Sequence, residues 1–228
     1  MRKFTGFTLS EVLLTLGIIG AIAAIIMPII VKNYKKQYVE NRLKSAYSLF
    51  SQAINQAKAE HGDFINWDTA LSRDEANNLY LKPYLKIIKG NKVVGKDLKT
   101  SNSNSTASYS YLFSQTYYGP TYYLSNGMRY TILFSGGTLH VTVDINGDKG
   151  PNKMGYDGFD FIIDKDNNQL VPECNNRTDE YLTKYSNYSH ACTIGEGTSN
   201  VGPYMGGCCA EVIRRNNWKI PKDYPINL

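Results

Sequence analysis

From Val12 to Val31 the chain runs for 20 residues without a charge. A helix rising about 1.5 Å per residue covers roughly 30 Å with such a run, the thickness of a bilayer's hydrocarbon core. Beyond Lys36 the pattern changes. Val39, Leu43, Ala46, Tyr47, Phe50, Ala53, Ile54 and Ala57 recur at steps of three or four, with Lys44, Gln52, Asn55 and Lys58 between them. That is the period of a helix with one buried stripe. The spacing predicts one helix from about Thr8 to Glu60, ending near Gly62. Pro28 removes a backbone hydrogen bond and is expected to kink or loosen it. Ser72-x-x-Glu75 predicts a second, capped helix within residues 63–85, limited by Pro83.

Alternation takes over later. Lys86, Lys89, Lys92, Lys96 and Lys99, followed by Ser101-Asn102-Ser103-Asn104-Ser105, predict an exposed loop over residues 86–108. Tyr109 to Tyr118 is aromatic-rich and reads as strand. Thr121 to Ser125, Asn126-Gly127 and Met128 to Phe134 read as a hairpin with a primed turn. Leu139 to Val143, Phe159 to Ile163 and Leu170 to Val171 are further strands, and Asp164 to Asn168 reads as a hairpin tip. The expected fold class is α+β: a long N-terminal helix, membrane-spanning in its first half, packed by its second half on an antiparallel β-sheet head over residues 61–228.

Composition agrees with one domain plus an anchor: 228 residues, 42% hydrophobic and 20% charged, with 18 tyrosines favouring strands and turns. A net charge of +5 is far below that of a dedicated nucleic-acid binder. The four cysteines, Cys174, Cys192, Cys208 and Cys209, all lie late, which points to disulfides formed outside the cytoplasm. Three connectivities are open. The spacing is not C-x-x-C. A metal site or a Cys–His nucleophile pair using His190 is the alternative to the staple.

Ahead of the apolar run stand Arg2 and Lys3, then Gly6-Phe7-Thr8-Leu9-Ser10-Glu11. A secretory signal cleaved after Ala21-Ile22-Ala23 would leave Ile25, Ile26, Ile29, Ile30 and Val31 at a new terminus. A plain single-span anchor leaves Glu11 at the mouth of the run to be explained, and Thr8-x-x-Glu11 does so as a capping box. Gly6 to Glu11, after a short basic leader and before a long apolar helix, closely resembles the type IV prepilin cleavage and methylation motif. Pilins, type II secretion pseudopilins and competence pilins share it.

The resemblance covers about 30 residues. It implies a pilin-like head, a leader over residues 1–6, cleavage between Gly6 and Phe7 by a prepilin peptidase, and methylation of the Phe7 amine. It also implies an assembly role for Glu11, whose carboxylate could neutralise the Phe7 amine of a neighbouring subunit in the filament core. The implied partners are other pilin or pseudopilin subunits and the membrane platform of the assembly machine. The implied location is a single-pass bacterial inner-membrane protein with its head outside the cytoplasm, then an extracytoplasmic filament.

The stretch from Asp144 through Asn146, Asp148 and Asn152, followed by Asp157 and Asp160, places oxygen-bearing side chains on a Gly-rich loop. A turn in which Asp and Asn cap their own backbone is one reading; a Ca2+ site is the other. It is not an EF-hand. Major pseudopilins resemble it in carrying a calcium loop after their sheet, which makes Asp144, Asn146, Asp148 and Asp157 the metal candidates. Many type IV pilins also resemble this chain in tying the C-terminal region by a disulfide. Arg214, Arg215, Lys219 and Lys222 form a basic cluster, read as a solvated face or as a DNA or surface contact. The sequence offers no Gly-rich phosphate loop, H-E-x-x-H or G-x-S-x-G elbow. The expectation is a structural subunit, not an enzyme; the alternatives are a minor or competence pilin binding DNA or a surface, and a membrane-anchored enzyme using His190 and a cysteine.

Overall fold

The computed structural model describes residues 6–89, 120–135, 137–183, 192 and 206–224. Two compact units divide at Tyr38 and Val39. Helix α1, Leu9–His61, contributes to both.

In the first unit every apolar side chain from Phe7 to Val31 is exposed. The stretch is long and apolar enough to cross a membrane. The helix runs on through Pro28 without a break.

The second unit is built on the other half of α1 and a six-stranded antiparallel sheet. The strands are β1 (Ile87–Lys89), β2 (Tyr122–Leu124), β3 (Arg129–Ser135), β4 (Thr138–Asp144), β5 (Gly158–Asp164) and β6 (Gln169–Pro172), paired in chain order as a meander. Val39, Leu43, Ala46, Phe50, Ala53, Ile54 and Ala57 are buried on one stripe of α1, as the step of three and four requires. Phe50 meets Tyr130 edge to face at 5.0 Å, and Tyr47 reaches Phe161 at 6.0 Å. Tyr130, Ile132, Val141, Val143, Phe159 and Phe161 thus form the helix-facing side of the sheet, since alternate residues of a strand share a face. All are buried.

Local signals set the boundaries. The helix ends where Gly62 takes a positive φ of 79°. Helix α2, Arg73–Tyr80, opens with the expected reciprocal box: the Glu75 N–H donates to Ser72 and the Ser72 N–H to Glu75. The β2–β3 hairpin falls where expected but is not closed by a primed turn: only Gly127 takes a positive φ, Asn126 does not, and the Gly127 N–H donates to the Leu124 carbonyl across a three-residue loop, the type I turn with a glycine bulge. Gly147 also has positive φ, and a Cβ there would lie 2.8 Å from the Gly127 carbonyl oxygen, so two turns touch where no side chain fits. Arg42 of α1 ties both turns down, donating to the Ile145 and Asn126 carbonyls at 2.8 and 3.0 Å. At the β5–β6 tip, Asp164 accepts from the backbone of Asp166 and Asn167.

Strand β1 departs from the expected loop over residues 86–108. It is three residues long and pairs irregularly with β2; a strand this short leaves no alternation to detect. The rest of that loop, the strand expected at Tyr109 to Tyr118, and His190 lie outside the described residues.

Candidate functional site

Three places carry the residues singled out by sequence. At the start of α1, Thr8 and Glu11 form the expected cap. The Thr8 N–H and the Thr8 hydroxyl both donate to Glu11 Oε2 at 2.8 Å, and the Glu11 N–H returns to Thr8 Oγ1 at 3.3 Å. The two backbone bonds satisfy N–H groups that the helix start leaves open. Phe7 is exposed, as is Gly6.

The second place is the loop after β4. Asp144, Asn146, Asp148, Asn152 and Asp157 converge there, and the centre of the cluster is a guanidinium. Arg129, fully buried, donates from Nε and Nη2 to Asp144 Oδ2 at 3.0 and 2.8 Å. Its Nη1 reaches Asp148 Oδ1 at 2.8 Å and Nη2 also reaches Asn152 Oδ1 at 3.1 Å. Asp157 takes neutral donors: the N–H groups of Asn152 and Lys153 at 2.8 and 2.6 Å, and the Asn146 amide at 3.2 Å. The remaining Asp144 oxygen accepts from the Asn146 N–H. Burial pushes Asp144 up to about 7 against the pull of Arg129, and burial likewise raises Asp157. The cross-strand register explains the pairing, because Arg129 and Asp144 sit directly opposite each other on β3 and β4.

A calcium ion needs six to eight oxygens around one point. Here Asp144 and Asp148, two of the four expected ligands, are turned to Arg129, as is Asn152, so this arrangement does not fit calcium: the chain supplies its own cation. Adding excess Ca2+ or the chelator EGTA is therefore expected to leave the thermal midpoint of the protein unchanged. A calcium-dependent rise in a melting curve would show that the ion, not the guanidinium, holds the loop.

The third place is the C-terminal region. Cys174 pairs with Cys208, and Cys192 with Cys209; both adjacent cysteines thus reach away from each other. No cysteine is free, so a Cys–His nucleophile has no thiol to draw on here. Cys174 and Cys208 are buried with Leu182 against Tyr181 and Val212. Three members of the basic cluster are engaged by carboxylates of the protein. Arg214 and Arg215 both bind buried Glu211 of α4 (Cys209–Arg215), and Arg215 also binds Asp179 of α3 (Asp179–Thr183). Lys219 binds Glu40 of α1 at 2.8 Å, beside the Ile220 N–H at 2.9 Å.

Residues 29–228 match a family model described as a family of unknown function, DUF6613. The chain belongs to this family. Neither the curated proteins nor the solved structures contain a match. The stretch shared with DUF6613 takes in all six strands and both disulfides and begins within the apolar run. Gly6, Phe7 and Glu11 precede it.

Sequence reasoning missed Arg129 in this DUF6613 chain. A signal was there: a lone arginine among Met128, Tyr130, Ile132 and Leu133 is a charge inside a strand pattern, and a buried charge requires a partner. Naming that partner takes the register of two strands.

Proposed function

We propose that this chain is a type IV pilin-like subunit, cut between Gly6 and Phe7, methylated at Phe7, and assembled through its apolar helix into an extracytoplasmic filament. The observation that carries the reading is the run Gly6-Phe7-Thr8-Leu9-Ser10-Glu11 directly ahead of 20 uncharged residues. The α+β layout, with α1 lining an antiparallel sheet, is compatible with a pilin-like head, and the two disulfides suit a head held outside the cytoplasm.

The cap at Thr8 and Glu11 bears on the mechanism. Both residues stay with the mature chain after a cut behind Gly6, so the helix keeps its N-terminal closure. Within a bundle of such helices, the carboxylate of Glu11 and the new amine of a neighbour's Phe7 would each be costly to bury alone and tolerable together. Gly17 and Gly20 fit the same picture. A Cβ on either would meet nothing within 4 Å in the chain, and close helix approach within an assembly gives their lack of a side chain a use. The prepilin peptidase, further subunits and a membrane assembly platform are the implied partners.

The test is the N-terminus of protein isolated from cells that carry the peptidase. Sequencing and mass spectrometry are expected to find a methylated Phe7. A chain that still begins at Met1, or that starts behind Ala23, overturns the reading.

A further inference from the structure

The face of the sheet turned away from α1 carries a row of polar residues that none of these roles uses. Thr131, Thr142 and Asp160 lie directly opposite one another on β3, β4 and β5, and the Asp160 carbonyl accepts the Glu173 N–H just beyond β6. His140 stands two residues before Thr142 on β4, hence on the same face. This register brings three ligand-type atoms together. His140 Nδ1 lies 3.3 Å from Asp160 Oδ2 and 3.8 Å from Glu173 Oε2. One donor atom from each of the three residues lies within 4.8 Å of the others.

We propose that His140, Asp160 and Glu173 form a binding site for a divalent transition-metal ion of the Zn2+ type. Nitrogen and oxygen ligands about 2.0–2.1 Å from a tetrahedral ion stand roughly 3.3–3.5 Å apart; the His140–Asp160 edge of 3.3 Å already matches, and the 3.8 Å His140–Glu173 edge needs Glu173 to close by a few tenths of an ångström. Two carboxylates and one imidazole suit zinc, whereas calcium and magnesium take oxygen alone. The outer sphere is in place as well: buried Thr142 donates from Oγ1 to Asp160 Oδ1 at 3.1 Å, leaving Oδ2 turned to His140. Such partners orient ligating carboxylates.

The three side chains are 24%, 7% and 16% exposed, shielded yet reachable from solvent. No thiolate competes, since all cysteines are in disulfides. The ion would join β4, β5 and the segment leading into Cys174, and so fasten the disulfide-bonded C-terminal region to the sheet.

The experiment is a Co2+ titration of the full chain in detergent micelles, with disulfides intact and metal first removed by EDTA. One equivalent should bind with the visible absorption of tetrahedral cobalt, and Zn2+ should displace it. His140→Ala and Glu173→Gln, each checked for native circular dichroism, should weaken binding by more than about 100-fold. Thr142→Val should weaken it by about 10–100-fold, as outer-sphere losses do. Absence of saturable binding, displacement by excess Ca2+, or unchanged binding in both His140→Ala and Glu173→Gln would overturn the site. The three groups would then be an ion pair of protonated His140 with two carboxylates only.

Discussion

Glu11→Gln should fold, insert and be cleaved like the natural chain, yet fail to enter filaments. Glutamine retains an oxygen that can accept from Thr8, so the box closing α1 survives the exchange. What disappears is the negative charge. In the proposed bundle the neighbour's Phe7 amine would then be buried without a counter-ion, a loss on the order of 3–5 kcal/mol. That corresponds to more than about 100-fold in the association step. The measurement is a sheared-filament fraction compared with total membrane-bound protein. Glu11→Ala, which removes cap and charge together, should behave no better in that assay. If Glu11→Gln assembles as well as the natural chain while Glu11→Ala does not, capping is the whole role of Glu11 and the pairing account fails.

The second large effect is expected at Arg129. Its guanidinium is fully buried, as is Asp144 beside it. Arg129→Ala leaves Asp144 in the interior without its cation and also frees Asp148 and Asn152 from their shared donor. Breaking one side of a buried pair costs about 3–5 kcal/mol, which lowers the thermal midpoint by on the order of 10 °C in a domain of this size. Arg129→Lys should lose less, because it keeps the charge and gives up the forked geometry. Calcium separates the two accounts of the loop. It should leave the natural protein untouched and raise the midpoint of Arg129→Ala, whose oxygens no longer face a guanidinium. A midpoint for Arg129→Ala equal to that of the natural protein would remove Arg129 as the cation of the loop.

These two residues also mark the difference between what could be read along the chain and what could not. The Glu11 cap lies within one helical turn of Thr8, and a four-residue pattern contains all of it. The same holds for Ser72 with Glu75, for the Asn126-Gly127 turn, and for the Asp164 tip, where each side chain serves backbone at most three residues away. The long helix was legible for a related reason: its period is repeated often enough to define a face. The departures are short or distant. β1 is too brief for a period. The helix continues through Pro28 as the expected unbroken run requires, because a single missing backbone bond does not end a helix whose other bonds persist.

Pairing across the chain was beyond such patterns. Four cysteines allowed three connectivities, and the choice fell to which β-carbons the fold brings near: Cys174 with Cys208 and Cys192 with Cys209, separated by 34 and 17 residues. The Asp and Asn residues of residues 144–157 were visible as a cluster of oxygens, but their cation comes from the neighbouring strand. His140, Asp160 and Glu173 were invisible as a group, since only the register of β4, β5 and β6 aligns them. By itself the sequence determined the long apolar helix, the capped helix starts, the places of the hairpin turns and the α+β class, because local backbone chemistry and periodic burial act over a few residues. Only the tertiary structure decided which charge meets which and which thiols join, because those contacts depend on strand register and on helix packing between residues far apart in the chain.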